Sequence, residues 1–251
     1  MPAVLVGPGD VVGDCLTLRG EEAHHLKVRR HQPGDIIEVI DGCGLGYRVR
    51  LQTLDGDAAT GKVLEELAEY GESAIRLHLA VALIKGQRLD FAVEKVTEVG
   101  VATISPMETE RAVVHPRSRR RVERWQRLAR AAAKQCGRSR VPEVRSPADF
   151  RDVVAGLVRD CEAVYMATPG EAADLRHGLE QVRPRTVGLL IGPEGGFSAG
   201  EEAWAAEAGV LSFSWVSRTL RADTAAVVFA ALILDEAERL AEAAGLVDRQ
   251  S

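Results

Sequence analysis

Hydrophobic and polar residues follow two different patterns in the two parts of this 251-residue chain. In the first part, short apolar runs are separated by Gly and Asp turns, which is typical of a small β-barrel. The predicted strands are Val4–Val6, Ile36–Ile40, Tyr47–Leu51 and Gly61–Leu64. A helix at Glu21–Arg30 interrupts them, and the polar stretch Glu65–Ser73 ends the pattern. We therefore expect one domain over residues 1–72 and a second over residues 73–251.

The second part alternates buried strands with amphipathic helices. Leu77–Ile84 has the composition of a buried strand, and Val101–Met107 that of the next one. Between them, apolar residues at helical spacing predict a helix that ends at Gly100. Two strands joined by a helix form a βαβ unit, so we expect an α/β fold with a parallel sheet and right-handed crossovers.

The later elements continue this alternation. The pattern predicts helices at Arg119–Cys136, Ala148–Arg159 and Ala225–Leu234, and strands at Ala163–Ala167 and Val187–Ile191. The last helix is apolar on nearly every face. We therefore expect it to be buried all round, in the core and at a subunit interface.

Three glycines follow the strand Val187–Ile191 within five residues, at Gly192–Gly196. Glycine permits positive φ and lets a ligand approach the backbone closely. Ser198 and Glu201 have the spacing of a capping box, which predicts the start of a helix. Because parallel sheets bind ligands at the carboxyl ends of their strands, we expect a binding site here. A plain strand-to-helix turn is the alternative, since neither the dinucleotide fingerprint G-x-G-x-x-G nor a phosphate loop is present.

The charge distribution indicates an anionic partner for one segment. The chain has a net charge of −5, which argues against nucleic acid, but residues 111–145 hold eleven Arg and one Lys against two Glu. That segment is therefore +10, and the rest of the chain is −15. A basic helix face is usually only solvated, yet acidic residues normally interleave with it and are scarce here. We expect this segment to contact RNA.

Cysteine usage and hydropathy limit the cofactors and the compartment. The four cysteines are far apart and form no C-x-x-C pair. We therefore expect no metal site and reduced thiols, as in the cytoplasm. No apolar run reaches about 18 residues, and the N-terminus has no basic segment before a long apolar one, so we expect neither a membrane span nor a signal peptide.

Two stretches together resemble the signature of the RsmE family. They are Leu190–Ser198, with the sequence LIGPEGGFS, and Leu220–Ala225, with the sequence LRADTA. His24–Arg29 and Pro33–Asp35 are similar to the PUA-like RNA-binding domain of that family. The family belongs to the SPOUT class and uses S-adenosylmethionine to methylate N3 of a uridine in 16S ribosomal RNA. The resemblance implies a trefoil-knotted C-terminal α/β domain, with the cofactor in the knot and the active site at a homodimer interface.

The resemblance and the pattern of residues together give a set of candidate site residues. Uracil N3 must lose its proton before it attacks, so the site needs a base, or a cation that stabilises charge on the uracil oxygens. Arg221 is the candidate cation, and Asp223 or Glu194 the candidate base. The cofactor-binding candidates are Thr168, Leu190, Ile191, Gly192, Gly195, Gly196, Trp215, Val216, Ser217, Leu220 and Thr224. The RNA-binding candidates are His25, Lys27, Arg29, Arg30, Lys85, Arg88, Arg111, Arg124 and Arg138.

Two residues depart from the family pattern. The family usually has Glu where Asp223 stands and Gly where Val216 stands, which leaves the reach of the base and the width of the adenine site open. Arg221 has a second interpretation, an ion pair with Asp223 or Glu194 that only braces the loop. A non-catalytic RNA-binding assembly factor of the same fold stays possible and would not bind S-adenosylmethionine. An unrelated α/β enzyme that holds phosphate at Gly192–Gly196 would bind ATP or NAD instead.

Overall fold

A computed structural model describes residues 3–112, 119–169, 174–214 and 219–245. The chain divides into two compact units. The first is Met1–Glu72 with Arg130–Val141, and the second is Ser73–Ala129 with Pro142–Ser251. Helix α3, Arg119–Cys136, contributes residues to both.

The first unit is built on a six-stranded sheet and helix α1, Glu21–Val28. Its strands are β1 Val4–Leu5, β2 Val11–Val12, β3 Cys15–Arg19, β4 Ile36–Ile40, β5 Leu45–Asp55 and β6 Ala58–Ala68. They lie in the order β1-β4-β5-β6-β3-β2, and the neighbours are antiparallel except for β1 and β4. Inward-facing residues of these strands form one apolar core with Ala23 and Leu26 of α1.

The second unit contains a parallel sheet. Its strands are β7 Arg76–Ala82, β8 Thr103–Glu108, β9 Glu143–Val144, β10 Ala148–Asp149, β11 Ala163–Ala167, β12 Thr186–Ile191 and β13 Leu211–Phe213. They lie in the order β10-β8-β7-β12-β11-β13, with β9 beside β8, and these pairings are parallel. The central strands β7 and β12 are almost wholly buried, as continuous apolar runs predict.

Helices cover both faces of this sheet. They are α2 Arg88–Val99, α4 Phe150–Asp160, α5 Leu175–Val182, α6 Ala199–Glu207 and α7 Ala222–Ala243. Val164 and Met166 of β11 belong to the apolar cluster of α4 and α6. Tyr165, between them, points to the opposite face and packs edge-on against Phe213, whose ring meets Phe229 of α7. Helix α7 also packs against α2, α5 and the central strands, so the sheet lies between two helical layers.

Several predicted elements are confirmed, and two details were wrong. The parallel β7-α2-β8 unit is present, and α3 and β11 have the predicted bounds. The apolar spacing in α3 predicts a buried face of Val122, Trp125, Leu128, Ala132 and Cys136. Trp125 and Ala132 are buried as predicted, but Ala129 and Ala133 share that face and Cys136 is exposed. The helix predicted from residue 148 begins at residue 150, because Ala148–Asp149 pairs with β8 as a strand. Within this single chain Ala231 of helix α7 is exposed, so the burial of that flank at a subunit interface stays a prediction.

None of the described helices is both long and apolar enough to cross a membrane. Within the described ranges, no group of three or more His, Cys, Asp or Glu side chains is placed to hold a metal ion.

Candidate functional site

Neighbouring strands bring the predicted cofactor residues to one edge of the parallel sheet. Ala167, at the end of β11, pairs with Ile191 of β12 and with Phe213 of β13. Thr168 and Gly192 directly follow β11 and β12, and the N–H of Thr168 donates to the carbonyl of Phe213 at 3.0 Å. Since paired strands lie about 4.8 Å apart, the backbones of Thr168 and Gly192 leave the sheet side by side.

The glycine turn, Gly192–Gly196, begins at this edge. Two of its positions favour glycine over other residues for physical reasons. The N–H of Gly196 donates to the carbonyl of Pro193 at 2.9 Å, which closes a tight turn. Gly196 has φ of 70°, a left-handed conformation that a side chain disfavours. At Gly192 the requirement is steric, because an added Cβ would lie 3.1 Å from the ring of Phe197.

Helix α6 begins with the predicted capping box, which is confirmed. The N–H of Ser198 donates to Oε2 of Glu201 at 2.8 Å, and the N–H of Glu201 donates to Oγ of Ser198 at 3.2 Å. The other carboxylate oxygen of Glu201 accepts the N–H of Glu110 at 2.9 Å. Glu201 is only 6% exposed. One buried carboxylate therefore holds both the start of α6 and the segment that follows β8.

Arg111 holds the same turn from the other side. Its Nη1 donates to the carbonyls of Gly195 and Phe197, at 2.9 and 3.0 Å. An added Cβ at Gly195 would lie 3.5 Å from Cβ of Arg111, so the two residues are in direct contact. The residue predicted to bind RNA is therefore engaged with the backbone of the turn.

Glu194 lies at the exposed tip of the turn and is paired with Arg88. Arg88 Nη1 lies 2.7 Å from Oε1 of Glu194, and both side chains are about two-fifths exposed, at 44% and 41%. This pair joins a predicted RNA contact to a predicted catalytic residue. The ion pair considered between Glu194 and Arg221 is not among the contacts of the described residues.

Arg221 and Asp223 stand at the start of α7, which begins at Ala222. Asp223 is 6% exposed, and its Oδ1 accepts the N–H of Thr224 at 3.0 Å. Nε of Arg221 lies 3.9 Å from that oxygen, and the Arg221 side chain is 66% exposed. The contact is long, so it orients the guanidinium only weakly and leaves most of it in solvent. A carboxylate in the first turn of a helix also interacts favourably with the positive end of the helix dipole.

The remaining cofactor candidates are only partly covered by the described ranges. Leu190 and Ile191 are buried beneath the glycine turn, while Leu220 and Thr224 are half-buried beside Arg221. Trp215, Val216 and Ser217 lie outside the described residues.

The structure corrects the prediction that Arg138 contacts RNA. Arg138 is 2% exposed. Its Nε and Nη2 donate to the two oxygens of Glu72, at 3.1 and 2.6 Å. A buried guanidinium that is held by a carboxylate is not available to a phosphate, so Arg138 belongs to the core of the first unit.

Other basic residues of the predicted set are exposed, although some have acidic partners. Arg124 pairs with Asp90 at 2.6 Å. His25 lies 3.8 Å from a carboxylate oxygen of Glu21 on the same helix. Lys27, Arg29, Arg30 and Lys85 are exposed as well. Arg30 has positive φ, at 62°, just after α1 ends.

The residues at the sheet edge fit S-adenosylmethionine. An added Cβ at Gly196 would meet no atom within 4 Å, so the backbone there is open to a flat ligand. Leu190 and Ile191 are buried beneath the turn and anchor it to the sheet, and Thr168 adds a polar group on the neighbouring strand. Backbone amides beside apolar side chains are the groups that an adenine ring requires.

The fold and the site together define a two-unit α/β protein with the glycine turn Gly192–Gly196 at the carboxyl edge of its parallel sheet. A family described as an RNA methyltransferase domain matches residues 71–234, and an RNA methyltransferase PUA domain matches residues 18–64. The chain belongs to this family of RNA methyltransferases. The mixed α/β fold with a PUA-like N-terminal domain is thereby confirmed, while the trefoil knot stays a prediction.

Named relatives agree with this assignment. Ribosomal RNA small subunit methyltransferase E from Synechocystis is 33% identical over 92% of this chain and 76% of its own length. The Bacillus subtilis protein of the same name is 29% identical over 83% of this chain and 85% of its own length. Among solved structures, that of the Neisseria gonorrhoeae protein of this name, bound to S-adenosyl methionine, has a TM-score of 0.80 at 30% identity and covers 93% of this chain and 96% of that one.

Proposed function

We propose that this protein transfers a methyl group from S-adenosylmethionine to N3 of a uridine in 16S ribosomal RNA. The observation that carries the proposal is the glycine turn at Gly192–Gly196 beside Thr168, in a chain that belongs to the RNA methyltransferase family. The named relatives act on small-subunit ribosomal RNA, and one of their structures holds this cofactor. When bound, S-adenosylmethionine supplies the methyl group on a sulfonium, so in-line positioning accounts for much of the rate.

The residues at the start of α7 have the chemistry that uracil N3 requires. Arg221 is 66% exposed, so its guanidinium can turn towards a uracil oxygen and stabilise the charge that develops there. Asp223 is nearly buried, and we assign it to accept the N3 proton, directly or through water. Glu194, paired with Arg88, is the second candidate for the proton and also for the ribose hydroxyls.

The proposed partner is the ribosomal small subunit or its RNA. We propose that the protein binds it as a homodimer in the cytoplasm. Lys27, Arg29 and Arg30 form an exposed basic group at the end of α1. Along α7, Val228 and Leu232 are half-buried and Ala231 is exposed. This apolar flank has helical spacing and suits a second copy of the chain.

Replacing Arg221 tests the catalytic assignment. Arg221→Ala should lower methyl transfer to small ribosomal subunits by at least about a hundredfold, because it removes the group that stabilises the uracil oxygens. The fold should be unaffected, since the backbone carbonyl of Arg221, which accepts the N–H of Ala225 at 2.7 Å, is retained and the long contact of its side chain with Asp223 is weak. Arg159→Ala is the matched control, as that side chain is 74% exposed and lies outside the basic segment 111–145.

The readouts are incorporation of labelled methyl groups and mass spectrometry of the digested RNA for 3-methyluridine. Unchanged turnover in Arg221→Ala would remove Arg221 from the mechanism. A protein that binds the RNA but not S-adenosylmethionine would instead be the non-catalytic assembly factor.

A further inference from the structure

We infer that Arg111 is a positioning residue for the cofactor rather than an RNA contact, and that it forms a reciprocal lock with Glu201 across the glycine turn. The lock holds the backbone from Gly195 to Ser198 in the shape that the cofactor meets. This inference rests on the proposed function for the identity of the ligand. The lock itself is a property of the protein alone and can be measured without a ligand.

The lock is reciprocal because each segment sends a charged side chain to the backbone of the other. From the segment after β8, Arg111 donates to the carbonyls of Gly195 and Phe197 at 2.9 and 3.0 Å. In the opposite direction, Glu201 accepts the N–H of Glu110 at 2.9 Å. Glu201 also accepts the N–H of Ser198 at 2.8 Å. Two charged groups thus make four hydrogen bonds to backbone on both sides of the turn.

The turn needs such support because its sequence does not fix its conformation. Glycine loses more conformational freedom on folding than any other residue. Gly195 lies on the exposed part of the turn, and the hydrogen bond from Gly196 to Pro193 closes only four residues. If one backbone residue had to be ordered at each binding event, the affinity would fall by about tenfold. A turn that is ordered before the ligand arrives avoids that loss.

The charges also favour this role over RNA contact. Hydrogen bonds from a charged donor are stronger than those between neutral groups, so two of them on one guanidinium nitrogen hold Arg111 against the turn. A phosphate that captured this nitrogen would release the carbonyls of Gly195 and Phe197. RNA binding through Nη1 of Arg111 and an ordered cofactor turn therefore oppose each other, so a phosphate contact that leaves the turn intact has to use the other guanidinium nitrogens.

The test compares Arg111→Ala, Arg111→Lys and Glu201→Gln with the control Arg159→Ala, whose side chain is 74% exposed and lies outside the basic segment. Hydrogen–deuterium exchange is measured on the ligand-free protein, in the peptide that covers residues 193–201. Arg111→Ala should raise exchange at Gly196 and Ser198 and raise the dissociation constant for S-adenosylmethionine by about tenfold. Arg111→Lys should raise both the exchange and the dissociation constant less than Arg111→Ala does, because one ammonium can still donate to a carbonyl. Glu201→Gln should act similarly, since its single amide oxygen replaces two carboxylate oxygens.

Affinity for RNA separates the two roles of Arg111. A positioning residue leaves the RNA dissociation constant and its salt dependence as in the control, and KM for the cofactor rises more than kcat falls. Unchanged exchange in Arg111→Ala would overturn the lock. So would a lower salt slope for RNA binding with unchanged cofactor affinity, which would make Arg111 a phosphate contact. If the unaltered protein binds no S-adenosylmethionine, the proposed function fails, but the exchange measurement still decides the lock.

Discussion

Removing the side chain of Arg138 should destabilise the first unit strongly. The side chains of Arg138 and Glu72 are 3% and 7% exposed, and they share two hydrogen bonds. The N–H of Arg140 donates to the same carboxylate at 2.8 Å. Arg138→Ala therefore leaves a carboxylate in the interior without its cation, which typically costs about 3–5 kcal/mol. That is a large part of the roughly 5–15 kcal/mol by which a domain is stable.

Urea unfolding followed by far-ultraviolet circular dichroism measures this cost. Arg48→Ala is the matched control, because Arg48 pairs with Glu65 in the same unit and both side chains are 46% exposed. Exposed pairs contribute only about 0–1 kcal/mol, so the control should barely shift the midpoint. The reasoning would be refuted if Arg138→Ala were as stable as the control while its RNA affinity fell. That result would restore Arg138 as an RNA contact.

Two further predictions concern the opposite, amino-terminal edge of the parallel sheet. Burial raises the pKa of the Cys161 thiol to about 11. Ellman's reagent should therefore label it more slowly than the three exposed thiols at about pH 8, and equal rates in the folded protein would contradict this. Burial, helped by the charges of Arg76 and Arg145, lowers the pKa of His78 below 6.5. The unfolded chain then takes up the proton first as pH falls, so the unaltered protein should lose stability relative to His78→Gln between about pH 7.5 and about pH 5.5. If the urea midpoints of the unaltered protein and of His78→Gln differed by the same amount at both pH values, this account would be contradicted.

Local signals in the sequence were sufficient for the elements that build the site. The capping box needs only Ser198 and Glu201, three residues apart, and the structure has both of its hydrogen bonds. The strand Ala163–Ala167 and the glycine turn after β12 also follow from short patterns. Each of these rests on interactions within a few residues, which is the range over which a sequence pattern is informative.

Contacts between distant residues were the part that the sequence did not reveal. The basic segment was assigned to RNA because acidic residues are scarce within it. In the structure its cations find carboxylates far away along the chain, such as Glu72 for Arg138 and Asp90 for Arg124. Arg111 similarly reaches the turn near Gly195, 84 residues further on. A run of like charges therefore overstates the free charge, since folding supplies partners that local composition does not show.

Isothermal titration of the purified protein with S-adenosylmethionine tests the central claim most directly, with ATP and NAD as controls. We predict that about one molecule of S-adenosylmethionine binds per subunit and that ATP and NAD do not bind, since the glycine turn at Gly192–Gly196 lacks the features of a phosphate loop. Methyl transfer to small ribosomal subunits would then follow from the same preparation. No binding at millimolar S-adenosylmethionine would contradict the account and favour an RNA-binding assembly factor, and binding of ATP or NAD instead would mean that the glycine turn holds phosphate.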